Sequence, residues 1–178
     1  LGDYEAAVKD LEQAIKINSN DAEAYYHRGI IKSGTTEIEG GILDLTKAIQ
    51  LDPNYINAYY QRGLVYQSQE KYKEAIKDFS KIVDLNPKAN MGYVSRGYAY
   101  YSMGKIKDAL KDYDKGIELD AQDAATFIRR GYAYLDLKDY NQAKENFSAA
   151  IALKTPFRGY AYNNRGNVKR LLKDYKGA

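Results

Sequence analysis

The sequence predicts an all-α protein, a right-handed superhelical solenoid of antiparallel helix pairs in 34-residue repeats. Three observations carry that expectation. The dipeptide Arg-Gly recurs at Arg28-Gly29, Arg62-Gly63, Arg96-Gly97, Arg130-Gly131 and Arg165-Gly166, with glycine intervals of 34, 34, 34 and 35 residues. Self-similarity at a fixed period of this length marks a stacked repeat. Within a repeat, apolar residues return at helical spacing on two separate stripes. Three Pro and fourteen Gly in 178 residues suit long helices with periodic breaks better than a turn-rich sheet.

Taken in order, residues 1–21 read as the second half of a repeat, 22–55, 56–89, 90–123 and 124–157 as four complete repeats, and 158–178 as the first half of another. In 56–68, Ile56, Tyr59, Tyr60, Leu64 and Tyr66 define the first stripe. In 72–85, Ala75, Ile76, Phe79, Ile82 and Val83 define the second, with Lys and Asp opposite. Asn86-Pro87 stops that helix, because the residue before Pro avoids the α region. The small Gly and Ala positions let paired helices approach closely. Each pair leaves an apolar flank that a stacked neighbour covers. The repeat 22–55 departs from the rest: Gly41 stands where the others have Ala, each helical Gly costs around 1 kcal/mol against Ala, and the weakest point is expected there.

The other positions keep phase with the glycine. Four residues before it stand Tyr25, Tyr59, Tyr93, Phe127 and Tyr162; three after it, Lys32, Tyr66, Tyr100, Tyr134 and Lys169. Twelve after it stand Gly41, Ala75, Ala109, Ala143 and Ala178, and sixteen after it Leu45, Phe79, Tyr113 and Phe147, while Pro53 and Pro87 close two repeats. This pattern resembles the tetratricopeptide repeat (TPR) family over the whole chain. The Arg before each Gly departs from it, since the family has an aliphatic residue there. The resemblance implies a protein-binding scaffold whose first helices line an inner, concave surface. The Lys/Asn/Arg carboxylate clamp of some members is absent, because its phases hold Tyr26, Ile30, Tyr60 and Leu64. The asparagine ladder of others fails as well, with His27, Gln61, Ser95, Arg129 and Asn164 two residues before each Gly.

Composition excludes much chemistry. Without Cys there is no disulfide, thiolate metal site or cysteine nucleophile. One His excludes any metal site needing two imidazoles. No Gly-rich phosphate loop occurs and the carboxylates are scattered, so neither an enzyme nor a cofactor or metal is expected. A net charge of +3 argues against nucleic acid and an anionic membrane, and no apolar run approaches the roughly 18 residues of a membrane span.

Nineteen tyrosines against four Phe and no Trp are the compositional anomaly. Twelve fall on packing phases, where the ring is buried and the hydroxyl reaches solvent or a carbonyl. Five of the remaining seven share one stripe of the first helices, at offsets three and four residues apart. The stripe predicts a peptide-binding groove lined by Tyr26, Ile30, Tyr60, Leu64, Gln67, Val94, Tyr98, Tyr101, Ile128, Tyr132 and Leu135. Contiguous exposed apolar surface of this kind marks an interaction site. In the last first helix the stripe turns polar, with Asn163, Asn167 and Arg170. Residues 154–178 carry +6 and residues 1–153 carry −3, so that end reads either as a solvated cap or as an anion-binding end for an acidic ligand segment.

Sixteen residues after successive Arg lie Asp44, Asp78, Asp112 and Asn146, with Asp10 at the same phase of the leading half. That recurrence predicts a structural ladder of inter-helix Arg–Asp pairs. The chain is thus expected to be the TPR segment of a larger protein that binds a protein or peptide ligand. Cytoplasmic placement is the default. The alternative is a self-assembly module, because residues 1–7 and 172–178 share a phase and offer open flanks for end-to-end stacking.

Overall fold

The computed structural model describes residues 2–153, 156 and 158–173; Leu1, Tyr175 and Ala178, placed in the repeat by phase, lie outside the described residues. Two compact units divide the chain, residues 1–87 and 88–178. The first holds α1 (Gly2–Ile17), α2 (Ala22–Ser33), α3 (Ile38–Leu51), α4 (Ile56–Ser68) and α5 (Tyr72–Leu85). The second holds α6 (Asn90–Ser102), α7 (Ile106–Leu119), α8 (Ala124–Asp136), α9 (Tyr140–Ala152) and α10 (Arg158–Leu171). No strand occurs among the described residues. Helices pack in successive pairs, α2 with α3 and α4 with α5 in the first unit, α6 with α7 and α8 with α9 in the second.

Helix ends follow from local chemistry. The Asp21 carboxylate accepts from the Ala24 amide at 3.0 Å, Asp123 accepts from the Ala125 and Thr126 amides, and Asp139 from the Gln142 amide, each satisfying an orphan donor of a first turn. Asn86 leaves the helix at φ −142° and ψ 91°, as the following Pro87 requires. Within several pairs the turn passes through the left-handed region, at Glu70, Lys138 and Gly104.

The repeat glycine seats the residue sixteen positions later. A Cβ on Gly63 would stand 2.6 Å from Phe79 Cε1, on Gly131 2.8 Å from Phe147 Cε1, and on Gly97 2.9 Å from Tyr113 Cε1. These three rings are fully buried, and each such burial stabilises by roughly 1.5–3 kcal/mol. The close approach in a pair is therefore Gly against a ring, with Ala75, Ala109 and Ala143 buried beside it.

Gly41 has a separate cause. A Cβ there would meet the Ser33 hydroxyl, and would lie 2.7 Å from the Ser33 amide and 2.8 Å from the Gly29 carbonyl. The Ser33 hydroxyl itself donates to the Gly29 carbonyl at 2.7 Å. Here α2 and α3 approach backbone to side chain, and only Gly fits.

The Arg–Asp pairs form. Arg28 donates through Nε and Nη2 to Asp44 at 2.7 and 2.7 Å, Arg62 to Asp78 at 2.9 and 2.7 Å, and Arg96 to Asp112 at 2.8 and 2.8 Å. All three carboxylates are buried. In the fourth repeat Arg130 Nε donates to Asn146 Oδ1 at 2.7 Å. Each guanidinium also lies near the ring four residues before the glycine, Arg28 at 5.5 Å from the Tyr25 centroid and Arg96 at 5.6 Å from Tyr93. The arginine has a further arm toward the preceding pair. Arg62 Nη1 donates to Thr46 Oγ1 at 2.9 Å, Arg130 Nη1 to Asp114 at 2.5 Å and Arg165 Nη1 to Ser148 Oγ at 3.3 Å.

Candidate functional site

The first helices α2, α4, α6, α8 and α10 carry the residues expected to bind. In the first unit, Tyr26 is half-buried, its ring 4.9 Å from Tyr55 and 5.0 Å from His27. Burial raises its phenol above the ordinary value, and a hydrogen bond from Gln61 pulls the other way. Tyr60 stands 6.2 Å from Phe79, centroid to centroid. Ile30 and Leu64 face one cavity of about 240 Å³, shared with Gln61 and Val65. Gln67 is half-buried, and its Oε1 has no partner among the described residues. A larger cavity of about 410 Å³ between α1 and α2, lined in part by Tyr4, Val8 and Ile31, contains none of the expected residues.

In the second unit Val94 is buried, its Cγ2 filling the space that Gly116 leaves by lacking a Cβ. Tyr98 is exposed at 38%. Tyr101 is half-buried, and burial, then a hydrogen bond to Asp136, push its phenol up to about 12. Ile128 is buried, and Leu135 packs at the edge of the Phe147 cluster. Tyr132 meets Phe147 edge to face at 5.6 Å, and its hydroxyl accepts from Asn164 Nδ2 at 2.8 Å. A cavity of about 250 Å³ opens between α8 and α10, lined by Ala125, Ile128, Arg129, Tyr132 and Tyr160. Asn163, Asn167 and Arg170 are all exposed on α10.

The structure thus brings Ile30 to Leu64, and Ile128 to Tyr132, while Val94 turns into its own helix pair. Sequence reasoning missed Arg129 and Tyr160 as cavity residues. It also missed that the position two before the glycine reaches back to tyrosines of the preceding pair, Gln61 to Tyr26 and Asn164 to Tyr132. The signal was available in the phase itself, where polar side chains recur at His27, Gln61, Ser95, Arg129 and Asn164. His27 sits 3.5 Å from Glu23 on an exposed face, and no helix among the described residues is long and apolar enough to cross a membrane.

Several solved structures share this fold. MamA from Desulfovibrio magneticus RS-1 is 24% identical with a TM-score of 0.80, covering 86% of this chain and 86% of its own. Another MamA structure, also 24% identical with a TM-score of 0.80, covers 86% of this chain and 90% of its own. YrrB, described as a TPR protein with an unusual peptide-binding site, is 25% identical with a TM-score of 0.75, over 93% of this chain and 84% of its own. No curated protein sequence matches the chain significantly. Family models do: the TPR repeat model over residues 1–32, 37–70 and 97–138, and two further tetratricopeptide repeat models over 56–89 and 124–155. With the helix pairs, the glycine phase and these matches in agreement, the chain belongs to the tetratricopeptide repeat family.

Proposed function

We propose that the chain is a non-enzymatic scaffold that holds a peptide or partner segment on the tyrosine-rich face of its first helices. One observation carries the reading: apolar cavities open at this face in each unit, one lined by Ile30 and Leu64, the other by Ile128 and Tyr132. The exposed ring of Tyr98 adds unburied apolar surface. YrrB, a TPR protein described as peptide-binding, supports the same reading. The four cations of α10, with no acid on that helix, favour an acidic segment near Asn163, Asn167 and Arg170. Affinity capture from the source cell, with wild type and with Tyr60→Ala, Tyr98→Ala and Tyr132→Ala variants, tests the proposal. A partner held by wild type should weaken by roughly 1–3 kcal/mol for each anchor removed. Undiminished binding by all three variants would overturn it.

Self-association is the competing reading, favoured by one contrast: α10 is cationic, whereas Glu5, Asp10 and Glu12 on α1 outnumber Lys9 and Lys16. Sedimentation over a wide concentration range separates the two. A concentration-independent monomer removes self-association.

A further inference from the structure

Arg129 differs from the other partly buried arginines of the first helices. Arg28, Arg62, Arg96 and Arg130 each hold a carboxylate or carboxamide, Arg158 reaches the Tyr162 hydroxyl and Arg165 the Ser148 hydroxyl. Arg129 has no hydrogen bond or ion pair to any described residue, yet it lines the apolar cavity between α8 and α10. A guanidinium at an apolar cavity with no acceptor among the described residues has its donors left for a ligand.

We infer that this cavity binds an acidic side chain of a partner peptide, its carboxylate on Arg129 and the neighbouring apolar side chain of the same peptide against Ile128, Tyr132 and Tyr160. The inference rests on the peptide-binding reading above and specifies what that reading leaves open. One guanidinium matches one carboxylate in charge and in planar two-point geometry. A phosphate, carrying about −1.5 to −2, exceeds the single cation that lines the cavity. The cavity, about 250 Å³ and walled by apolar carbon and two tyrosine rings, takes one aliphatic or aromatic side chain. Low polarity around the guanidinium strengthens the ion pair.

A displayed library of random peptides, selected in parallel on wild type and on Arg129→Gln, tests the inference. The variant replaces the guanidinium of a partly exposed side chain by a shorter neutral carboxamide, and its circular dichroism reports folding independently. Wild type should enrich peptides with Asp or Glu next to an apolar residue, and those peptides should bind Arg129→Gln roughly 10- to 100-fold more weakly. Enriched peptides lacking an acid, or acidic peptides that bind the variant equally, overturn the carboxylate site while leaving the peptide-binding reading standing. Enrichment of phosphate mimics by doubly acidic clusters with no apolar neighbour overturns the cavity assignment. Failure of wild type to enrich any peptide overturns the broader reading itself.

Discussion

Arg62 and Asp78 lock α4 to α5 through two near-parallel hydrogen bonds of 2.7 and 2.9 Å, with the carboxylate 5% and the guanidinium 16% exposed. The asymmetry of burial matters. Burial raises the Asp78 carboxyl above its ordinary value, and the Arg62 hydrogen bonds and charge pull it back. Arg62 also keeps Thr46 Oγ1 as a second acceptor, whereas Asp78 depends on Arg62. The pair fixes how α4 meets α5, and its arm to Thr46 ties that pair to α3.

Removing Arg62 should therefore cost more than removing Asp78. Arg62→Leu strands a buried carboxylate, and breaking a buried pair costs about 3–5 kcal/mol. Asp78→Leu leaves a guanidinium that still bonds Thr46 and reaches water. The double variant Arg62→Leu/Asp78→Leu should lie closer to wild type than Arg62→Leu does. Urea unfolding of the four proteins as a double-mutant cycle measures this; a strictly additive cycle would show that the pair contributes no coupling.

The two neighbouring glycines of α3 should respond oppositely to Ala. At Gly41 a methyl collides with the Ser33 amide and hydroxyl and the Gly29 carbonyl, an overpacking cost of about 1–3 kcal/mol. At Gly40 the nearest atom is Lys32 Cδ at 3.6 Å, so Gly40→Ala should gain up to about 1 kcal/mol of helix propensity. Thermal melts of the two variants check it. Stabilisation by Gly41→Ala would show that α2 and α3 separate there at little cost.

Much of this fold was legible before any coordinates. The stripes at 56–68 and 72–85 coincide with α4 and α5, because each stripe is bounded by its own turn chemistry and needs no distant partner to define it. The sixteen-residue offset of Arg and Asp was legible for the same reason: both lie in one repeat and the offset recurs. What lay beyond reach depends on neighbours in other repeats. Val94 is buried because Gly116, at a phase that holds Ile82 or Ala150 elsewhere, leaves it room. The weakness expected at Gly41 overlooked Ser33, whose hydroxyl occupies the methyl position. Arg129 shares the phase of Gln61 and Asn164, which reach tyrosines one repeat earlier, yet has no hydrogen bond of this kind among the described residues. No single-repeat pattern contains that information.

Tyr113 occupies the phase of Phe79 and Phe147, and its hydroxyl is buried without a partner among the described residues. Tyr113→Phe removes a polar atom that burial penalises and keeps the ring on Gly97. The variant should be more stable than wild type by about 1 kcal/mol. Chemical denaturation decides it, and a loss of stability would mean that the hydroxyl finds an acceptor in the folded chain.

Tyr101 gives the chain an alkaline dependence with a defined sign. Its phenol is raised from 10.0 to about 12, first by burial and then by the hydrogen bond to Asp136. The unfolded chain releases this proton near the ordinary value of about 10, so between these values the folded form holds more protons than the unfolded. Stability from this group is complete below about 10, falls as pH rises, and is gone above about 12. Melting temperatures of wild type should therefore decline across that interval. Tyr101→Phe should make the decline shallower, and Asp136→Asn should shift its end to lower pH by removing the charge that holds the proton. Tyr113, also raised by burial and in small part by the charge of Tyr101, adds to the slope in the same direction, so Tyr101→Phe removes its own contribution and that small part together. An unchanged slope in Tyr101→Phe would assign the alkaline loss to other tyrosines and break the link between Asp136 and this phenol.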